Sequence, residues 1–272
     1  MKFSSETLAP TSGSVVERTF ALDAASGDGP VPGVLWTPAD ASIAGTSTSA
    51  PAPLVLMGHG GGLHKKADGL VARAVHLVET YGFRVASLDA PGHGDRTRSP
   101  EDERWVAAMF RARADGDSIA PIVAEFNASL VERAVPEWQA ALDALQTLPE
   151  IGAHGPVGFG GLTLASAIGI ALASVDPRIT AAVFGGVLVY PALTEAAKRV
   201  TIPLHFILPW GDAEIDRASG LALFDAFGSA DKSLHTTQGG HHEVPWYEVE
   251  ETERFYARQF AAQQSAGQQA AR

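Results

Sequence analysis

The sequence contains no cysteine, which excludes disulfides, thiolate nucleophiles and cysteine-bound metal but does not identify a compartment. Positive charge is scarce as well: 20 Lys and Arg stand against 31 Asp and Glu, a formal net charge of −11. Nucleic-acid phosphates are repelled by such a chain, and no basic run or basic amphipathic helix offsets the imbalance. Nucleic acid is therefore not expected as a partner, and an anionic membrane surface gains no support. Long apolar runs are missing. None approaches the roughly 20 residues of a spanning helix, so no membrane association is expected. The opening "MKFSSETLAPTSGS" lacks the apolar stretch of a secretory signal. A cytoplasmic protein is the expectation. No repeat at a fixed period stands out.

What is present is enough apolar material for a sizeable core: 46% of 272 residues are hydrophobic, a size at which α/β folds are often one domain. One domain is expected over 1–260. Two segments are biased in composition. "ADASIAGTSTSAPAP" (39–53) reads as a surface loop, and "AAQQSAGQQAAR" (261–272) as a disordered tail with little to bury.

Between them, short apolar runs alternate with helical periodicity. "SVVERTFAL" and "PGVLWTP" predict antiparallel opening strands, and "PLVLMG" a strand covered on both faces. A helix with Leu70, Val71, Ala74, Leu77 and Val78 on one face ends at Gly82. "FRVASLD" is the next strand, and 99–148 reads as largely helical, with Pro121 and Pro136 beginning or interrupting helices. "PVGFG", "ITAAVFGGVLV", "PLHFILPW" and "KSLHTTQGG" complete the strands. Between and after them come helices at "LTLASAIGIALASV", near 192–199, at "RASGLALFDAFG" and from Trp246 to Phe260. Alternating strands and helices imply a mostly parallel sheet. Chemistry then gathers beyond the carboxyl ends of the strands, where "HGGG", "APGHGD", "GGLTLA", "WGDAE" and "GGHHEVP" all fall.

In their order, "LVLMGHGGG", "LDAPGHGDR", "GFGGLTLAS", "PWGDAEID" and "GGHHEVP" resemble an α/β-hydrolase, most similar to the dienelactone-hydrolase-like and small-esterase branches. The resemblance covers roughly residues 30 to 258. It implies a mainly parallel sheet of about eight strands with helices on both faces, and hydrolysis of a small ester, thioester or lactone without cofactor.

The family's nucleophile sits in G-x-S-x-G on a strand-to-helix turn. Gly161, Thr163 and Ala165 fill the three fixed positions, with threonine in place of serine. The competing register centred on Gly160 has no hydroxyl and puts Leu162 where a small residue is needed. Ser166 lies about a turn into the helix and points away. Threonine is a departure: its β-branch stiffens χ1 and fits a strained elbow poorly. The resemblance gives Asp212 as the acid, with Glu214 and Asp216 read as solvated or capping the next helix. It gives His241 as the base, with His242 pointing elsewhere. Leu164 and Gly61, or Gly62, supply the oxyanion N–H groups. The acyl substrate is a small molecule, and a homodimer stays open.

Other motifs read as structural. His59 holds the glycine loop, and Asp89, His93, Asp95 and Arg96 shape the next loop. His59, His64, Asp89 and His93 have no recognised ligand spacing, so no metal is expected. "HGGG" lacks the G-K-[ST] of a phosphate loop. "DGDSIA" reads as a loop and helix start. The apolar residues of 99–135, among them Trp105, Met109, Phe110, Ile119, Val123 and Phe126, form either a cap over an apolar pocket or helices packed on the sheet. Two alternatives to hydrolysis remain: a cofactor-independent lyase or isomerase on this scaffold, and a ligand-binding homologue that has lost turnover.

Overall fold

The apolar run at 54–57 becomes strand β4 (Leu54–Met57), buried at every residue, and its alternation explains the layers. Leu54 and Leu56 join one hydrophobic cluster and Val55 and Met57 another, as a strand covered on both faces requires. The computed structural model describes residues 1–9, 12–23, 29–39, 52–241 and 243–270. The biased segment 39–53 falls mostly outside them, as does His242.

Nine strands form one sheet: β1 (Lys2–Leu8), β2 (Val15–Leu22), β3 (Val31–Pro38), β4, β5 (Arg84–Leu88), β6 (Val157–Gly160), β7 (Ile179–Gly185), β8 (Leu204–Pro209) and β9 (Lys232–Thr237). They lie in the order β1-β2-β3-β5-β4-β6-β7-β8-β9. From β5 onward the pairs are parallel, whereas β1, β2 and β3 are antiparallel, β3 against β5 included. The additional strand is β1, "KFSSETL", which is exposed along its whole length. It carries no apolar alternation, and its order comes from pairing with β2 at the edge.

Seven helices are described: α1 (Asp68–Tyr81), α2 (Pro100–Asp115), α3 (Ala120–Leu145), α4 (Leu164–Ala173), α5 (Pro191–Arg199), α6 (Arg217–Ala226) and α7 (Trp246–Ala270). Residues of α1 and α7 pack with Val55, Val85, Val183 and Ile207 on one face of the sheet. Residues of α3, α4, α5 and α6 pack with Leu56, Ala86, Phe184 and Phe206 on the other. Helix α1 ends as its sequence suggests, with Gly82 at φ +67° and its N–H on the Val78 carbonyl.

Two helices depart from expectation. Pro136 lies inside α3 and neither begins nor interrupts it. Proline removes one N–H bond to the preceding turn. Here Pro136 and Glu132, whose carbonyl loses that partner, are both exposed, so the freed carbonyl need not be satisfied from within the protein. The residues just beyond, Glu137 and Trp138, are buried and hold the helix to the body. Helix α7 continues to Ala270, through most of the segment expected to be a disordered tail. Gln263 explains part of this: its side chain donates to the Thr180 carbonyl at 3.2 Å and accepts from the Thr180 hydroxyl at 2.9 Å. No helix among the described residues is long and apolar enough to cross a membrane.

Candidate active site

Strand β6 ends at Gly160, the chain turns sharply, and α4 begins at Leu164. Thr163 lies at the bend with φ +57° and ψ −119°, the one positive φ at a non-glycine among the described residues. Side chains rarely adopt such backbone, and a β-branched one is a strained occupant. The bend is held by the Thr163 N–H on the Gly185 carbonyl at 3.0 Å and by the Gly161 N–H on the Val183 carbonyl at 3.2 Å. The demand for small residues is steric. A Cβ added at Gly161 would sit 2.3 Å from Ala165 Cβ, and one at Gly58 2.6 Å from the same atom. Ser166 is buried, accepts the Gly185 N–H at 2.7 Å and is within bonding distance of the Gly161 and Gly185 carbonyls, so it ties the elbow to β7.

The Thr163 hydroxyl is buried and has no hydrogen-bond partner among the described residues. It looks onto Gly60, where an added Cβ would come within 2.9 Å of it. The threonine methyl faces Gly186. Glycine at position 60 leaves room for the hydroxyl, while the methyl is 3.9 Å from where a Cβ at Gly186 would stand, an ordinary contact.

Asp212 follows β8 in a turn whose shape it fixes: Oδ1 accepts the N–H groups of Glu214 at 2.8 Å and Ile215 at 3.0 Å. Its other oxygen accepts Nδ1–H of His241 at 2.8 Å. The aspartate side chain is 1% exposed and the histidine 13%. This bond sets the tautomer, leaving Nε2 as the ring's acceptor. The loop bearing His241 is braced by the Gly240 N–H on the Glu243 carboxylate at 2.9 Å and the Gly211 N–H on the Gly239 carbonyl at 3.1 Å. Asp216 does not join them; it caps α6 through the Ser219 N–H at 2.8 Å. Glu214 stays exposed at the cavity rim.

His59 is fully used by the backbone, Nδ1–H donating to the Gly60 carbonyl at 2.8 Å and Nε2 accepting the Ala90 N–H at 3.0 Å. Burial pushes it down to about 4, so it is neutral and pins the glycine loop to the loop after β5. That second loop is knit by Asp89, which accepts from the Lys65 ammonium at 2.7 Å, the Lys65 N–H at 2.8 Å and the Asp95 N–H at 3.0 Å. Arg96 forms a bidentate pair with Glu137 at 2.6 and 2.8 Å.

No protein-family model and no curated protein matches the chain. Solved structures do. A cold-adapted esterase from an Arctic intertidal metagenomic library superposes with a TM-score of 0.72 at 28% identity, over 96% of this chain and 100% of that one. An acetyl xylan esterase from Paenibacillus sp. R4 gives 0.66 at 12% identity, covering 95% and 88%. The Pyrococcus furiosus esterase Pf2001 gives 0.63 at 12%, covering 90% of each. The chain has the α/β-hydrolase fold.

In this fold a cavity of about 910 Å³ opens over the carboxyl ends of the strands. Thr163, Leu164, His241 and Gly60 to Gly62 share its floor, and Val106, Met109, Phe110, Ile119, Val123 and Phe126 form an apolar wall. Phe126 and Leu130 of α3 line the cavity and also belong to the core cluster that the later residues Trp138, Leu142 and Leu145 fill. Gly60, the nearest glycine to the hydroxyl, was not singled out in the sequence, although the "HGGG" motif contains it.

Proposed function

We propose that the chain is a hydrolase of small carboxylic esters, thioesters or lactones that works through an acyl-enzyme on Thr163. One observation carries the reading: the strained elbow hydroxyl and an imidazole oriented by a buried aspartate line the same apolar cavity. The 28%-identical structural relative, an esterase along its whole length, adds support.

Asp212 holds Nδ1–H of His241. Nε2 takes the Thr163 proton as the hydroxyl attacks the carbonyl, then returns it to the departing alcohol or thiol. Leu164 opens α4, so its N–H belongs to the group that a helix start leaves without an intrahelical acceptor. With the N–H of Gly61, or Gly62, it receives the developing oxyanion. Water activated by His241 then releases the acid. The free-enzyme hydroxyl lacks its acceptor, and such contacts tighten when substrate binds. The apolar wall takes the hydrocarbon part of the substrate.

The test is turnover of short-acyl nitrophenyl esters together with labelling by a fluorophosphonate. Wild type hydrolyses the esters and is labelled, and Thr163→Ala loses at least about 10³-fold in kcat with the label gone. Retention of most of the rate in Thr163→Ala indicates proton-transfer chemistry instead. Activity that arises only in Thr163→Ser indicates a binding protein that has lost turnover, a reading favoured by the unpartnered, β-branched hydroxyl.

A further inference from the structure

Away from the cavity, three ligating side chains converge that the proposed chemistry does not use. His205 on β8, His235 on β9 and Glu248 near the start of α7 each bring one donor atom to within 4.8 Å of the other two. The strand register causes this: Ile207 pairs with His235 and His205 with Ser233, which sets the two imidazoles diagonally on one face, 4.0 Å between centroids. A carboxylate oxygen of Glu248 lies 3.1 Å from His235 Nδ1 and 3.9 Å from His205 Nε2. A tetrahedral ion with bonds of about 2.0–2.1 Å places its ligand atoms about 3.3–3.4 Å apart, and these separations straddle that value.

A second observation concerns His205 alone. The residue is 1% exposed, and its Nε2 has no hydrogen-bond partner among the described residues. Its Nδ1 faces the Ser233 hydroxyl at 3.4 Å. Donation from Nδ1 to that oxygen leaves Nε2 with a bare lone pair, the arrangement of a ligating histidine whose second nitrogen is held by an outer group. A buried nitrogen left without a partner loses its hydration with nothing in exchange.

We infer that His205, His235 and Glu248 form a divalent transition-metal site, with zinc the ion whose preferred donors and geometry they match. Two histidines and a carboxylate with a water in the fourth position are an established zinc set, and the His235 side chain, 31% exposed, opens the site to solvent. The ion ties together β8, β9 and α7. His235 precedes His241 by six residues and Glu248 follows it by seven, so the site closes a bracket around the loop that carries the proposed base.

The test uses untagged full-length chain stripped with chelator and titrated with zinc chloride, read by calorimetry and by thermal unfolding. One zinc per chain and a raised Tm are expected. His235→Ala and Glu248→Gln should each weaken binding at least about tenfold, while His154→Ala, at an exposed histidine elsewhere, leaves it unchanged. His235 is partly exposed, so its variant keeps the fold and reads the site directly. No zinc uptake by the wild type, or uptake that His235→Ala leaves intact, overturns the inference.

Discussion

Thr163 brings to the elbow a hydroxyl that is buried in the structure and a positive φ that a β-branched residue tolerates badly. Glycine reaches φ +57°, ψ −119° without the Cβ conflict. Thr163→Gly is therefore expected to raise stability by about 1–3 kcal/mol while abolishing ester turnover, read by urea unfolding and nitrophenyl-ester assay. A loss of stability would mean that the backbone is relaxed at this position. The elbow register was legible through the resemblance, because Gly161 and Ala165 put small residues two positions either side of Thr163, and a Cβ added at Gly161 collides with Ala165. The Asp212 and His241 placements were legible through resemblance, as positions after the right strands. Hidden from the sequence was how the hydroxyl fits, since that depends on Gly60, which lies far from Thr163 along the chain.

Among the elements, α3 carries two separate loads. Its buried Glu137 pairs with Arg96, each side chain 3% exposed. Glu137→Ala strands a buried guanidinium and is expected to cost about 3–5 kcal/mol, whereas Arg96→Met with Glu137→Leu recovers most of that loss, both measured by chemical denaturation. At the other end Val123 faces the cavity. Val123→Trp should raise KM for hexanoyl esters roughly tenfold and leave acetyl esters nearly unaffected, measured as a chain-length series. Apolar periodicity revealed the helices but not this division, because Met109 and Leu142 are equally apolar in sequence. Only packing separates a residue that lines a cavity from one that fills a core. Pro136 misled for a related reason, since exposure of the turn before it decides whether the helix survives. β1 escaped notice because a fully exposed strand has no apolar face to betray it.

For the whole molecule, acid is the expected weakness. Burial pushes His59 down to about 4 from its ordinary 6.5. Between those values the unfolded chain is protonated at this position and the folded chain is not, so stability is full above about pH 6.5 and falls as pH drops towards 4. The loss is on the order of 3 kcal/mol from this group. Unfolding free energies at pH 7, 6, 5 and 4 should fall along this slope, and His59→Gln should flatten it by about one proton. The diagonal of His205 and His235 also belongs to this scale. Nothing in "PLHFILPW" or "KSLHTTQGG" announces it, and it exists only once β8 and β9 pair in their register. A last consequence concerns α3, a 26-residue rod with its foot set in the core and its head over the pocket. Descendants of this chain are free to revise the head, and with it their diet of molecules, while the foot goes on anchoring the same architecture.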